Sequence, residues 1–338
     1  MITEVCKADD ESIARAAKLL GTGELVAMPT ETVYGLAANA HNEAAVSHIF
    51  EAKGRPQDNP LIVHISQIDM LESLAVHIPT LAYQLAEAFW PGPMTMVLDK
   101  SAQIPAVVSA GLSTVGIRFP SHPVAKALIE ACGFPLAAPS ANLSGRPSPT
   151  TAAHVLVDMD GRIPMILDGG PCKVGIESTV ITVSENAVQI LRPGGVTAQD
   201  LRTICPNVCI NPAVLHELRT NEQAASPGMK YKHYAPKAHV VILDGEINQF
   251  IRYVEANRVE DTYALVFDGE ESLLSVPCLA FGRADDGSAQ AHALFDCLRQ
   301  LDVLGARLVF ARCPSKDGVG LAVYNRLIRA AGFEVIQL

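Results

Sequence analysis

Near residue 205 the chain changes character. From there to about 236, Pro206, Asn207, Asn211, Pro212, Ser226, Pro227, Gly228 and Pro236 form a loop-rich stretch. Proline fixes φ and lacks the amide donor, while Asn, Ser and Gly favour turns, so neither a long helix nor a central strand can run through it. A chain of 338 residues cut at that point leaves two pieces, each long enough for its own core. We therefore expect a first domain over residues 1–204, a linker over 205–237 and a second domain over 238–338.

The flanking segments read as alternating strands and helices. In the first piece Asp10 to Leu20 is amphipathic, with Ile13, Ala14, Ala17 and Leu20 on one face. Asn42 to Lys53 is a second helix, with Gly54 placed to end it, and Thr80 to Phe89 is a third. Leu25–Met28, Leu61–Ile65, Thr95–Leu98, Val115–Phe119, Leu136–Ala138, Met165–Leu167, Thr179–Val183 and Val188–Leu191 are short strands. This mixture predicts an α/β domain on a mixed, twisted sheet. In the second piece His239–Leu243, Tyr263–Phe267 and Leu308–Phe310 are strands. Ile247–Asn257, Ala289–Leu304 and Val319–Ala331 are helices. Their alternation predicts a smaller Rossmann-like α/β domain with a parallel sheet, without the Gly-x-Gly-x-x-Gly turn of dinucleotide binding.

Composition bounds the function. Hydrophobic residues make up 49% and charged residues 18% of the chain, as in a globular protein with a large core. No apolar run reaches the roughly 18 residues of a membrane span, and Met1 to Lys7 does not begin a signal peptide, so a cytoplasmic protein without membrane contact is expected. None of the eight cysteines forms a Cys-x-x-Cys pair, which argues against zinc. The net charge of −10 argues against a broad nucleic-acid-coating face. Residues 1–200 carry 12 Lys plus Arg against 20 Asp plus Glu. Even so, Lys53, Arg55, Arg118, Arg146, Lys173 and Arg192 lie in or beside Gly-, Pro- and Ser-rich segments, the pattern of a pocket for a small anion.

Five segments could carry chemistry. Pro29-Thr30-Glu31-Thr32-Val33-Tyr34-Gly35 packs hydroxyls, a carboxylate and a phenol at a strand end, as a binding site or as a polar turn. Lys53-Gly54-Arg55-Pro56 holds a point charge and a planar fork on one rigid turn. It suits polyphosphate, although basic residues also complement a helix C-terminus. His64 and Arg118 sit inside apolar strands, where a histidine can be a satisfied core group. A buried arginine needs an anion, from a protein carboxylate or from a substrate. Pro139-Ser140-Ala141-Asn142-Leu143-Ser144-Gly145 resembles a phosphate cradle without a Walker lysine. No P-loop, nucleophile elbow or zincin helix is present.

Together, Pro29 to Gly35, Lys53 to Pro56, Pro60-Leu61-Ile62-Val63-His64, Ser140-Ala141-Asn142, Arg192-Pro193-Gly194 and the linker Ser226 to Pro236 resemble the long, two-domain form of the YrdC-like threonylcarbamoyl-AMP synthases. In the last hundred residues the likeness rests on Gly318 to Ala322 and Asn325-Arg326-Leu327. The resemblance implies a nucleotidyltransferase that combines L-threonine, bicarbonate and ATP into threonylcarbamoyl-AMP and pyrophosphate. The product would feed the tRNA threonylcarbamoyl transferase machinery. Mg²⁺ would ride on the phosphates, with no protein ligand for it identifiable in the sequence. The family's catalytic positions fall on Lys53, Arg55, Ser140 and Asn142, which also face ATP. Asn59, Thr114, Ser148 and Arg192 are further ATP contacts, with Tyr231 or Tyr234 of the linker closing over the nucleotide. Thr32, His64, Arg118, Ala138 and Ser178 fall at threonine. A concave basic face would also allow weak RNA binding.

Overall fold

The computed structural model describes residues 2–216 and 234–338. Local signals explain where its helices begin and end. Asp9 accepts the Ser12 N–H at 2.9 Å and opens the helix Asp10–Gly21, which buries Ile13, Ala16 and Leu20. Asn42 does the same for Ala45 at 3.1 Å, and the helix Glu43–Lys53 stops at Gly54, whose φ of 60° suits glycine. That stop turns the chain so that Lys53 faces inward, only 2% exposed.

Among the described residues the first sheet has eleven strands. Their spatial order is Glu4–Lys7, Met165–Asp168, Val26–Met28, Gly35–Asn39, Leu136–Ala137, Ile62–His64, Thr114–Arg118, Met94–Asp99, Thr179–Val183, Val188–Arg192 and Val208–Ile210. Parallel and antiparallel pairs mix, as the elements led us to expect. Val208–Ile210 pairs in parallel with Val188–Arg192, so the sheet continues past residue 205.

Side-chain alternation decides where a site can form. One face is covered along its length, because Ala27, Leu36, Ala38, Val63, Ile117, Met96, Ile181 and Ile190 share a single core. The other face divides. Val26, Met28, Ala37 and Leu136 lie beneath the helices Asp10–Gly21 and Pro123–Cys132. Beyond them the apolar cover shrinks to Ile62, Val97, Val180 and Leu191. Residues two along from these carry polar groups on the same face. Ile62 leads to His64, and Val180 leads back to Ser178. His64 is in register with Arg118, which is itself in register with Thr95. The bare half of this face is the floor of the site.

The second domain is a parallel sheet of five strands, in the order Cys278–Ala280, Thr262–Val266, Leu308–Arg312, His239–Asp244 and Val335–Gln337. Apolar cores lie on both faces, as parallel sheets require. One of these cores crosses between domains: Val33 and Ile176 of the first pack with Leu294, Phe295 and Leu298 of the second. Gly175 marks how close the two come. A Cβ there would lie 2.5 Å from the Ala291 carbonyl oxygen and 2.5 Å from the His292 Cα. Among the described residues no helix is long and apolar enough to cross a membrane.

Candidate active site

A partly enclosed hollow opens over the bare half of the first sheet. Strand ends supply Arg118, His64, Ser178 and Arg192, and the turn after Val26–Met28 supplies Thr30 and Thr32. Ala138 and Ser140 line it from the segment after Leu136–Ala137, Arg55 from the helix stop, and Tyr234 from the far side of the linker.

The turn is built by its own hydroxyls. Thr30 Oγ1 donates to the Val33 carbonyl at 2.6 Å, so Thr32 is the donor in its 2.9 Å contact with Thr30. The Tyr34 phenol points away and donates to the Gly170 carbonyl at 2.8 Å, which makes it a strut for the turn. The residues 139–141 lie against this turn, with the Leu36 N–H on Pro139 O at 2.8 Å and the Ala141 N–H on Tyr34 O at 2.8 Å.

Arg118 meets Glu31 at 2.7 Å, both buried. The contact is charge to charge, with poor alignment for hydrogen bonding. Both Glu31 oxygens, and Arg118 Nε and Nη2, lack a hydrogen-bond partner among the described residues. Buried donors of this kind are rare in native proteins, and a ligand or an ordered water would complete the set. The protein carboxylate thus balances the charge of Arg118 against Nη2, and Nε is the donor left open. His64 lies beside it, 2% exposed, with Nδ1 3.2 Å from the Ile62 carbonyl. Burial and the neighbouring Arg118 push its pKa down to about 3, so the ring is neutral at pH 7.

Lys53 lies behind the hollow and does not line it. Its ammonium donates to the carbonyls of Ser140 and of Asn142, the latter at 2.6 Å, with Asn142 Oδ1 at 3.4 Å. Its own carbonyl accepts the Ser144 N–H at 2.9 Å. Burial, then the nearby Arg55, pushes the Lys53 pKa well below its usual value. Arg55 does reach the hollow. Its Nη2 donates to Asn59 O at 3.3 Å and Pro60 O at 3.2 Å, while its Nε and the Asn59 Oδ1 have no partner among the described residues. Burial lowers the pKa of Arg55 to about 10, which leaves it charged at neutral pH.

On the other wall, Arg192 donates through Nε to Ser178 O at 3.1 Å and through Nη2 to Ser178 Oγ at 3.2 Å. Thr95 Oγ1 is 2.7 Å from the same Ser178 hydroxyl. Ser148 is fully buried and donates to Glu177 Oε1, and Glu177 Oε2 accepts from Arg326 Nε at 2.8 Å. Burial alone would raise the Glu177 pKa, but Arg326 and Arg192 outweigh it and hold the carboxyl below its ordinary range. Thr114 lines a small apolar cleft with Ile62, Val97 and Val180 beside the hollow. Tyr234 takes φ 64°, stacks 5.3 Å from Phe295 and is 1% exposed. Tyr231 lies outside the described residues, as does the linker from Ser226 to His233.

Of the residues singled out in the sequence, Arg55, Thr32, His64, Arg118, Ala138, Ser140, Ser178, Arg192 and Tyr234 come together around one hollow. Lys53, Asn142, Ser148, Asn59 and Thr114 stand behind or beside it. Glu31 and Arg326 stood in segments singled out in the sequence, the polar turn and the Asn325-Arg326-Leu327 run, but had no role assigned, and Thr95 and Glu177 were not read as site residues. The signal for Glu177 was its place beside Ser178.

Comparison with known proteins fits this geometry. The Sua5–YciO–YrdC family model, described as telomere recombination, matches residues 18–194. A second model, described as the C-terminal domain of threonylcarbamoyl-AMP synthase, matches 196–332. The chain is 44% identical to the threonylcarbamoyl-AMP synthase of Pyrococcus abyssi, covering 98% of this chain and 97% of that protein. The chain belongs to the threonylcarbamoyl-AMP synthase family. It is 44% identical to the Bacillus subtilis synthase as well, over 99% of this chain and 97% of the relative. The structure of P. abyssi Sua5 complexed with L-threonine superposes with a TM-score of 0.90 at 42% identity, covering 100% of this chain and 99% of that one. Membership makes the chain an ATP-using nucleotidyltransferase that forms threonylcarbamoyl-AMP for tRNA modification.

Proposed function

We propose that the hollow holds L-threonine and the phosphate end of ATP side by side, and that the chain joins them through a carbamate. The observation that carries this reading is Arg118, a buried guanidinium on the floor of the hollow whose Nε has no partner among the described residues and whose Nη2 meets Glu31 only as an ion pair. A planar fork of that kind suits a carboxylate. With the threonine carboxylate on Arg118, the hydroxyls of Thr32 and Ser178 and the neutral ring of His64 are the groups left for its amine and side chain. A neutral His64 adds no charge that would hold the amine protonated.

The threonine amine takes up carbon dioxide derived from bicarbonate and loses a proton, giving a carbamate. A carbamate oxygen then forms a bond to the α-phosphorus of ATP as the bond to the β-phosphate bridge breaks, and pyrophosphate leaves. No protein nucleophile is required, which suits a site built of guanidiniums and hydroxyls. Arg55 and Arg192 line the hollow and would neutralise the phosphates, with Ser140, Asn142, Ser148 and Asn59 around them. The cleft at Thr114 borders this region. Mg²⁺ would enter with ATP and neutralise phosphate charge. Glu31 and Glu177, the nearest carboxylates, are ion-paired with Arg118 and Arg326, so this donor set does not favour a protein-held ion.

The hollow's free volume of about 50 Å³ is small beside the roughly 300–1,000 Å³ of typical ligand sites. Nucleotide binding would therefore displace Tyr234, which then covers the labile carbamate against water. Tyr234, at the far end of the linker 205–237, would act as the cover and 238–338 as its support, with the tRNA threonylcarbamoyl transferase machinery consuming the product. The test is pyrophosphate release with ATP, threonine and bicarbonate supplied separately. Each should be required, and release that ignores threonine overturns the reading.

A further inference from the structure

A buried side chain of the second domain reaches the wall of the site. Arg326, on the helix Gly318–Ala330, is 0% exposed and is among the largest fully buried side chains of the protein. A buried guanidinium is costly unless its charge and its donors are all met. Here they are met mainly by the first domain. Nε donates to Glu177 Oε2 at 2.8 Å, Nη2 to the Glu177 carbonyl at 3.1 Å and Nη1 to the Pro193 carbonyl at 2.7 Å. Nη1 also meets its neighbour Asn325 at 3.0 Å, and the guanidinium carbon lies 5.8 Å from the Tyr234 ring centroid.

These acceptors lie directly behind the nucleotide wall. Glu177 lines the hollow and accepts from Ser148, and Pro193 follows Arg192 in the chain. Gly194 leaves this wall no slack, since a Cβ there would lie 2.3 Å from the Thr179 nitrogen. Without Arg326, Glu177 would keep only the Ser148 hydroxyl and the charge of nearby Arg192, so its carboxylate would repel the phosphates and its hold on Ser148 would lose its anchor. Arg118, Thr32 and His64 make none of these contacts.

We propose that Arg326 is a positioning residue for the ATP half of the site. Acting through Glu177 and Pro193, it cancels the charge of the carboxylate and fixes Ser148 and Arg192, which gives the second domain a direct part in the reaction. The inference rests on the placing of ATP beside Ser148 and Arg192 argued above.

The test uses the full chain with Arg326→Met, Arg326→Lys, Glu177→Gln and the double variant Arg326→Met/Glu177→Gln. Pyrophosphate release is measured with ATP and threonine varied separately. Arg326→Met should raise KM for ATP by about tenfold or more and move KM for threonine by less than about threefold, a split that general loosening of the fold does not produce. Arg326→Lys should recover only part of the loss, because an ammonium cannot reproduce the fork. The double variant should bring KM for ATP back severalfold, since a neutral amide in place of the Glu177 carboxylate needs no counter-charge. Should Arg326→Met not fold, the double variant carries the test: KM for ATP within about threefold of Glu177→Gln supports the inference, and a larger rise over Glu177→Gln overturns it. Equal changes in both KM values overturn it too. A wild-type chain without threonine-dependent release would sink the site reading and this inference together, whereas an active wild type with Arg326→Met unchanged sinks this inference alone.

Discussion

Replacing Lys53 by Met separates two roles for a buried lysine. The structure ties its ammonium to three oxygens, the carbonyls of Ser140 and Asn142 and the Asn142 side chain. A thioether of similar length fills the space and removes all three donors. Each buried acceptor left unpaired costs about 1–3 kcal/mol, for a gross loss of roughly 3–9 kcal/mol. Burying an ammonium itself costs several kcal/mol, which the substitution removes, so the net destabilisation is about 1–3 kcal/mol. For a domain of this size that lowers Tm by roughly 2–12 °C. The Ser140–Asn142 segment then sits loosely, and a misplacement near 1 Å at a reacting site costs about 10²-fold in turnover. The assays are thermal unfolding and threonine-dependent pyrophosphate release on one preparation. Both should fall together. An unchanged Tm with turnover down by more than about 10³-fold would place the ammonium on the phosphates and refute the tie, since only an electrostatic partner of the transition state has that effect alone.

Three further outcomes follow from other features. Arg118→Lys keeps the charge but loses the fork, so KM for threonine should rise about 10- to 100-fold with KM for ATP little changed; a threonine titration checks it, and equal effects on both substrates would contradict it. His64 has a folded pKa of about 3 against 6.5 when free. Between those values the unfolded chain binds the extra proton, so stability is full above pH 6.5 and declines as pH falls, by about 2 kcal/mol at pH 5. Urea unfolding of His64→Asn should lack that share of the decline, and parallel pH curves for the two proteins would exclude it. Gly175→Ala combines a φ of +85° with a Cβ 2.5 Å from the Ala291 carbonyl oxygen. It should part the domains and destabilise by about 2 kcal/mol or more, seen as a split calorimetric transition; one unshifted transition would show that the seam can yield.

Local chemistry was legible in the sequence and long-range pairing was not. The helix Glu43–Lys53 with its glycine stop could be read because cap, apolar face and terminator all lie within a dozen neighbours. The strand Gly35–Asn39 escaped notice because its Gly-Leu-Ala-Ala-Asn run is buried on both faces and shows no alternation. Alternation fixes which side of its strand Arg118 occupies, but nothing local reveals that the strand of His64 lies next to it. The same holds for charges. Lys53 and Arg55 are two positions apart and look alike as cations, yet the left-handed turn at Gly54 sends one behind the hollow and one into it. Arg118 called for a carboxylate, and Glu31 stood in full view. Choosing it required the fold.

The pair Glu177–Arg326 spans 149 positions of sequence. At the roughly 5–20 residues per second of protein synthesis, about 7–30 seconds separate the appearance of the two partners. The first domain therefore emerges from the ribosome with an acid in the wall of its pocket that has Ser148 and the charge of Arg192 beside it but not yet its ion-pair partner. The order of synthesis thus sets an order of contacts: the wall at Glu177 gains its full set of partners only after the second domain has folded against it.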